Sequence, residues 1–210
     1  LADEDFRRTP YRRYRGSALD HMQWHRTQAQ LRYRFAWDEL DVQVVAYRHD
    51  FHRAWQKLNR FRAGPSLNQV LAHPDAGQSA LYYQVLTGAA DSTGPEQALM
   101  LGTNDRTFVS QGVEARAHLG LRTWFFEHVL EVGARLHEDH IDRLHTEDPF
   151  LMKAGALVPE GRPTVINVDS RASAIAGALY VTDEIRFGTG LGEVIVAPGL
   201  RLELIRTDLE

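Results

Sequence analysis

No cysteine occurs in the 210-residue chain. That excludes a disulfide framework, thiolate metal sites and a cysteine nucleophile. It suits an oxidising compartment as well as a reducing one. Lysine is almost absent too: of 24 basic residues only Lys57 and Lys153 are lysines. The rest are arginines, whose planar fork can hold a carboxylate or phosphate with two parallel hydrogen bonds. The net charge is −4, so a general attraction to nucleic acid is not indicated. No apolar run approaches the roughly 18 residues of a membrane helix. A secretory signal is missing, and the chain opens on LADEDF without Met. It is therefore expected to be a piece of something longer, in which case missing targeting signals say little about location. No Walker or dinucleotide glycine pattern is present.

What the sequence does contain is alternation. In RTQAQLRYRFAW (26–37), Thr27, Ala29, Leu31, Tyr33, Phe35 and Trp37 oppose Arg26, Gln28, Gln30, Arg32 and Arg34. A period of two predicts a strand. LDVQVVAYRHDF (40–51) follows after only two residues, which predicts a tight hairpin. Further strands are expected at 108–121, from 126 onward, at about 171–188 and at 193–206. The fourth of these six enters VLEVGARLHEDHIDRL (129–144), which also has a helical reading through Phe126, Val129, Leu130, Gly133 and Leu136. Its neighbours decide for a strand that runs outward into a polar loop.

Connection lengths alternate. Those at about 38–39, 122–124 and 189–192 are short, while 52–107 and 138–170 are long and rich in turn-forming residues. Short helices are expected at 66–72 and 95–101. Compact domains rarely tolerate a loop of roughly 50 residues, whereas an outer-membrane barrel pairs short turns with long external loops. Strands of about 10 to 16 residues exceed the usual five or six and suit a tilted membrane crossing. Trp24, Trp37, Tyr47, Trp55, Trp124, Phe125 and Phe126 cluster near expected strand ends, as an interfacial aromatic girdle would. The faces carrying Arg32, Arg34, Glu114, Arg116, Glu131, Arg135, Arg201 and Glu203 do not suit a dry core; they suit a water-filled lumen. The predicted fold class is all-β, an antiparallel up-and-down meander of about six long strands within a transmembrane barrel.

Five stretches taken in order, YRRYRGSALDHMQWHRTQ, VAYRHDFHRAWQKLNRF, GTNDRTFVSQGVEARAH, EVGARLHEDHIDRLHTEDPF and VAPGLRLELI, resemble TonB-dependent outer-membrane receptors, and within them the ferric dicitrate receptor-like branch. The resemblance covers nearly the whole chain. It implies a barrel of about 22 strands around a plug, residence in the bacterial outer membrane among its lipid, and import of a ferric chelate or similar nutrient, energised by the TonB coupling protein. Residues 1–210 are then expected to be one partial barrel domain, without the plug, the TonB-contacting segment or the final strand. Transport would belong to the parent protein.

An anionic ferric chelate of citrate type needs Arg or Lys converging from several strands, with an amide to complete the hydrogen bonding. Arg53, Lys57, Arg60, Arg106 and Gln111, at or just beyond the expected external ends of the second and third strands, are the candidate ligand-binding residues. The bland alternative is that they pair with acids or solvate loop bases. His137, His140 and His145 with Glu138, Asp139 and Asp142 make a metal-like cluster, but on a strand neighbouring positions face apart; a solvated rim is the better reading, and for YRHDFHR (47–53) as well. No metal and no cofactor is expected. Ser110, Ser170, His118 and Asp105 supply the parts of a hydrolase triad without the Gly-x-Ser-x-Gly elbow, so no enzyme is expected. The alternatives are a soluble all-β ligand- or glycan-binding module, which would bury both strand faces, and a hydrolase on a β scaffold.

Overall fold

The structure is a computed structural model describing residues 1–210. Strands β1 (His21–Trp37), β2 (Leu40–Phe61), β3 (Leu99–Arg122), β4 (Glu127–Lys153), β5 (Ala156–Pro159), β6 (Val165–Thr189), β7 (Gly192–Val196) and β8 (Gly199–Leu209) form one sheet. Its order is β1-β2-β3-β4-β6-β7, with β5 on β4 and β8 on β6. The chain is thus an all-β meander. β7 and β8 meet β6 at successive stretches, Thr189↔Gly192 to Ile185↔Val196 and Thr182↔Gly199 to Ala172↔Leu209, both antiparallel. Pro198 between them has no N–H for the ladder, although its carbonyl still accepts from Asp183 N at 3.0 Å. Asp38 takes a positive φ of 54° in the β1–β2 turn. Tight hairpins need such a conformation, and aspartate tolerates it better than most residues.

Three sequence expectations are corrected. The strands run on well past their expected ends, so most of 138–170 and both ends of 52–107 are strand; the connections there are 62–98, which stays long, and 154–164, which holds the short β5. Residues 129–144 lie wholly inside β4 and do not reach a loop. Tyr47 and Trp55 sit within β2, away from any girdle at a strand end. Helices are α1 (Asp3–Arg8), α2 (Leu67–Ala72) and α3 (Gly77–Thr87). α2 lies where 66–72 was expected; its Ser66 and Gln69 form a reciprocal capping box. Residues 95–101 begin as a 3-10 turn at Pro95–Gln97 and pass into β3. No helix is long and apolar enough to cross a membrane, which says nothing of strands.

The chain divides into two compact units. The first comprises Leu1–Trp24, Arg53–Arg106 and Arg143–Asp169. It has a hydrophobic core of Tyr14, Phe61, Val70, Tyr82, Val85, Leu86, Leu99, Leu101 and Met152. Phe61 meets Tyr82 edge-on at 4.7 Å between ring centroids. Gly16 lets the chain pass close to this core, since a Cβ there would lie 2.8 Å from Leu99 Cδ2. Asp5 ties the N-terminal segment down, accepting from the hydroxyls of Tyr14 (2.7 Å) and Tyr83 and from Arg12 (3.3 Å). The Tyr83 and Tyr14 hydrogen bonds hold the Asp5 carboxyl below its ordinary pKa.

The second unit comprises His25–His52, Thr107–Asp142 and Ser170–Glu210. One face of its sheet is polar. There Arg135 Nη2 donates to Tyr47 Oη at 2.9 Å, and Tyr47 Oη lies 2.6 Å from His137 Nδ1. Arg116 pairs with Glu114 and Arg201 with Glu203, each at 3.1 Å, and Arg34 pairs with Asp41. The other face is apolar: Leu31, Tyr33, Trp37, Val113, Val132, Leu136, Ile175, Leu179, Leu200, Leu202 and Leu204 are all exposed. Towards one end of that face charge returns. Arg48 Nη1 donates to Gln111 Oε1 and Gln111 Nε2 to Glu138 Oε2, both at 2.8 Å, and Arg171 meets Asp142 at 2.5 Å. Towards the other end stand Trp37, Trp124, Phe125 and Phe126, with Phe126 against Phe187 at 5.5 Å. On β1 the apolar set runs from 27 to 37. Eleven residues tilted by about 40° rise roughly 25 Å, the height of an outer-membrane apolar band.

Candidate anion-binding site

Alternation along three neighbouring strands of the first unit brings one set of polar side chains onto a common face. β2 supplies Arg53, β3 supplies Asn104 and Arg106, and β4 supplies Arg143 and His145. The same face continues to Gly102, Asn59 and Glu147. A Cβ on Gly102 would run into the Asn59 amide, and Asn59 Nδ2 donates to Glu147 Oε1 at 3.1 Å.

The cluster is uncompensated. Arg106 is pushed below the ordinary arginine pKa by burial and then by the guanidiniums of Arg143 and Arg53, with no carboxylate among the charges acting on it. It stays cationic nonetheless. Its Nε lies 3.4 Å from His145 Nε2, a long contact. His145 is held below the ordinary histidine pKa by burial, then by Arg106 and Arg143. The Nε atoms of Arg53 and Arg143 and the Oδ1 of Asn104 are buried without hydrogen-bond partners. Buried polar atoms in native proteins nearly always have partners. Unmet Nε donors on Arg53 and Arg143, beside the Arg106 guanidinium, are a binding capacity for an anion with several acceptor oxygens.

The candidate residues read from the sequence divide. Arg53 and Arg106 come together in this cluster. Arg60 is engaged elsewhere: its Nη2 donates to Glu147 Oε2 at 2.6 Å. Lys57 Nζ stands 4.6 Å from the Trp55 ring, a cation–π contact. Gln111 belongs to the second unit and bridges Arg48 to Glu138, so its amide is occupied. Arg143 and His145 were not foreseen as ligand-binding residues, nor was Asn104. Following the period-two pattern through RLHTED on β4 would have placed both on the face of Arg106. His137, His140, Glu138, Asp139 and Asp142 split between the two faces; His137 Nε2 contacts Asp139 at 2.7 Å, and no group of three or more histidines or acids converges on one point.

No family model matches the chain, and no curated protein sequence matches it. Among solved structures, the chain is similar to the crystal structure of the ferric citrate transporter FecA in the unliganded form, with a TM-score of 0.64 and 17% identity. The match covers 100% of this chain and 24% of that one, so the chain spans about a quarter of the length of its structural neighbour. At this identity the likeness is one of fold: an all-β meander resembling a portion of a barrel.

Proposed function

We propose that the chain is part of the wall of an outer-membrane receptor of the TonB-dependent kind, and that it helps to take up an anionic ferric chelate such as ferric citrate. The observation that carries the ligand is the uncompensated cluster of Arg53, Arg106 and Arg143. A polycarboxylate chelate of iron carries negative charge and presents carboxylate oxygens at its surface. Each guanidinium can meet such oxygens with charge-assisted hydrogen bonds. The exposed apolar face supports the barrel, because a lipid-facing sheet presents such a band of apolar side chains opposite a polar face. The neighbour of like fold transports ferric citrate, which agrees with this reading of the charge. The role assigned to the site is binding, with no catalytic step, and energised passage would depend on a TonB-type partner.

The test is ferric citrate binding by the full chain refolded in detergent micelles, followed by intrinsic fluorescence. Losing one charge-assisted contact costs about 1.5–3 kcal/mol. Arg106→Gln or Arg143→Gln should therefore weaken binding by roughly 10- to 100-fold, and Lys57→Gln should leave it nearly unchanged. Equal affinity in all three variants would remove the site from the ligand's path.

A further inference from the structure

The anion cluster contains one group that titrates near neutrality. His145 Nε2 can accept from Arg106 Nε only as the neutral imidazole, with its proton on Nδ1. We infer that an anion of two or more negative charges, seated among Arg53, Arg106 and Arg143, couples to protonation of His145, so that binding takes up one proton and tightens as pH falls. The inference rests on the anion-binding reading of this same site and adds a regulator to it.

The coupling follows from charges already present. The charges acting on His145 are Arg106 on β3 and Arg143 on its own strand. Arg53 on β2 adds to the field at Arg106. The nearest acid on the same face, Glu147, is committed to Arg60 and Asn59. Asp105 alternates away from Arg106 on β3, and Asp169 on β6 is exposed. With the site empty, a proton on His145 adds a further positive charge beside two guanidiniums and forfeits the contact from Arg106. Burial and those two cations accordingly keep the ring neutral at pH 7. A bound dianion reverses both penalties. It offsets the repulsion, and its oxygens can accept from the new N–H. The proton comes from solvent, and the N–H bond is the only covalent bond formed.

Linkage makes the effect reciprocal: the factor by which the anion favours the protonated ring is the factor by which the proton favours the anion. A shift of one pKa unit on binding corresponds to a tenfold ceiling on that factor. Affinity is fully enhanced below the pKa of the empty site and loses the enhancement as pH rises through the higher pKa of the occupied site.

Sulfate is the probe, since it stays dianionic throughout the range and carries no iron chemistry of its own. Titration calorimetry on the full chain in micelles, in two buffers of unlike ionisation enthalpy, counts the protons taken up. Sulfate should bind about 5- to 10-fold tighter at pH 5.5 than at pH 8, with net proton uptake at intermediate pH. His145→Gln keeps a polar group of similar reach but cannot titrate. It should bind sulfate with a flat pH profile and no proton uptake, whatever its affinity at pH 8. A direct reading comes from ¹⁵N resonances of the His145 ring in the unmutated chain, whose titration midpoint should rise by about one unit with sulfate bound. Sulfate binding without proton uptake, or an unshifted ring, overturns the coupling and leaves the ferric-chelate reading standing. Failure of both sulfate and ferric citrate to bind at any pH overturns both.

Discussion

Leu101 and Val113 lie on one strand, β3, at positions of the same parity. Leu101 is 0% exposed and Val113 is 47% exposed. The difference is repeated throughout the two units. In the first, apolar side chains of β2, β3 and β4 find partners in α2, α3 and the turns of 62–98: Phe61 packs on Tyr82, while Leu99, Leu101 and Met152 join Val70, Val85 and Leu86. In the second, the buried apolar residues are Val109 and, on the polar face, Ala178, and the rest of the apolar face touches no second layer. A sheet face must be covered by something apolar or stay exposed at a cost. The first unit brings its own cover in the sequence between β2 and β3. The second carries no such cover within the chain, and in the receptor reading lipid would supply it.

The sharpest way to break the contrast is to truncate one leucine in each unit. Leu101→Ala should cost about 2–5 kcal/mol, because it opens a cavity in a packed core. Leu204→Ala, at a side chain 83% exposed, should cost far less, since no protein atoms close around the gap. Denaturant unfolding in micelles, followed separately for amides of the two units by hydrogen exchange, reads both. A large loss for Leu204→Ala would mean that a protein partner covers this face.

Charge sharpens the contrast from the other side. Leu202→Arg, in the middle of the apolar face and 64% exposed, should destabilise folding into bilayers by about 2–4 kcal/mol. Leu144→Arg, also on an exposed position but in the first unit, should stay within about 0.5 kcal/mol. Refolding yields in lipid vesicles against urea measure the pair. If the two substitutions cost the same, the apolar face of the second unit does not meet hydrocarbon.

The same asymmetry decided what could be read from the sequence. Alternation was plain wherever one face is uniformly apolar, as at Leu31, Tyr33 and Phe35 on β1, and it gave the sheet, the hairpin at 38–39 and five long strands; the sixth, expected at 193–206, is broken at Pro198 into β7 and β8. It faded where that face turns polar, at Arg48 and Asp50 on β2 and at Glu138, His140 and Asp142 on β4. The ladder of backbone hydrogen bonds continues there, because it does not depend on side-chain polarity. Strand ends were therefore set too early, and Arg143 and His145 fell into an expected loop. α3 was missed for a related reason: GQSALYYQVLT has no clean division into polar and apolar stripes. Its Tyr82, Val85 and Leu86 are buried by tertiary packing, which a period cannot report. Arg53 and Arg106 were legible as candidates because an anionic chelate calls for arginine at the external ends of neighbouring strands. That Arg60 and Gln111 are occupied by Glu147, Arg48 and Glu138 depends on cross-strand register, which no single strand reveals.

Glu147 provides the smallest of these effects and the one most easily tuned. Its side chain is 5% exposed and is held by Arg60, itself about half exposed, and by Asn59. Burial alone would raise the pKa of this carboxyl; the hydrogen bonds from Arg60 and Asn59 outweigh it and hold the group below the ordinary glutamate value. A lowered folded pKa contributes stability that is present above the unfolded value, about 4.3, and lost as pH falls through the folded one. Glu147→Gln should therefore lower the stability of the first unit by about 1–3 kcal/mol at pH 7, the scale of a hydrogen bond to a charged group. The gap between variant and parent should close as the solution is acidified below about pH 4. Urea midpoints across pH 3 to 8, read from the near-ultraviolet signal of Tyr14, Tyr82 and Tyr83, follow it. The second unit, whose exposed pairs such as Arg201–Glu203 contribute well under 1 kcal/mol, should show no matching change. A gap that persists unchanged to pH 3 would mean that Glu147 acts through packing and carries no charge in the folded chain.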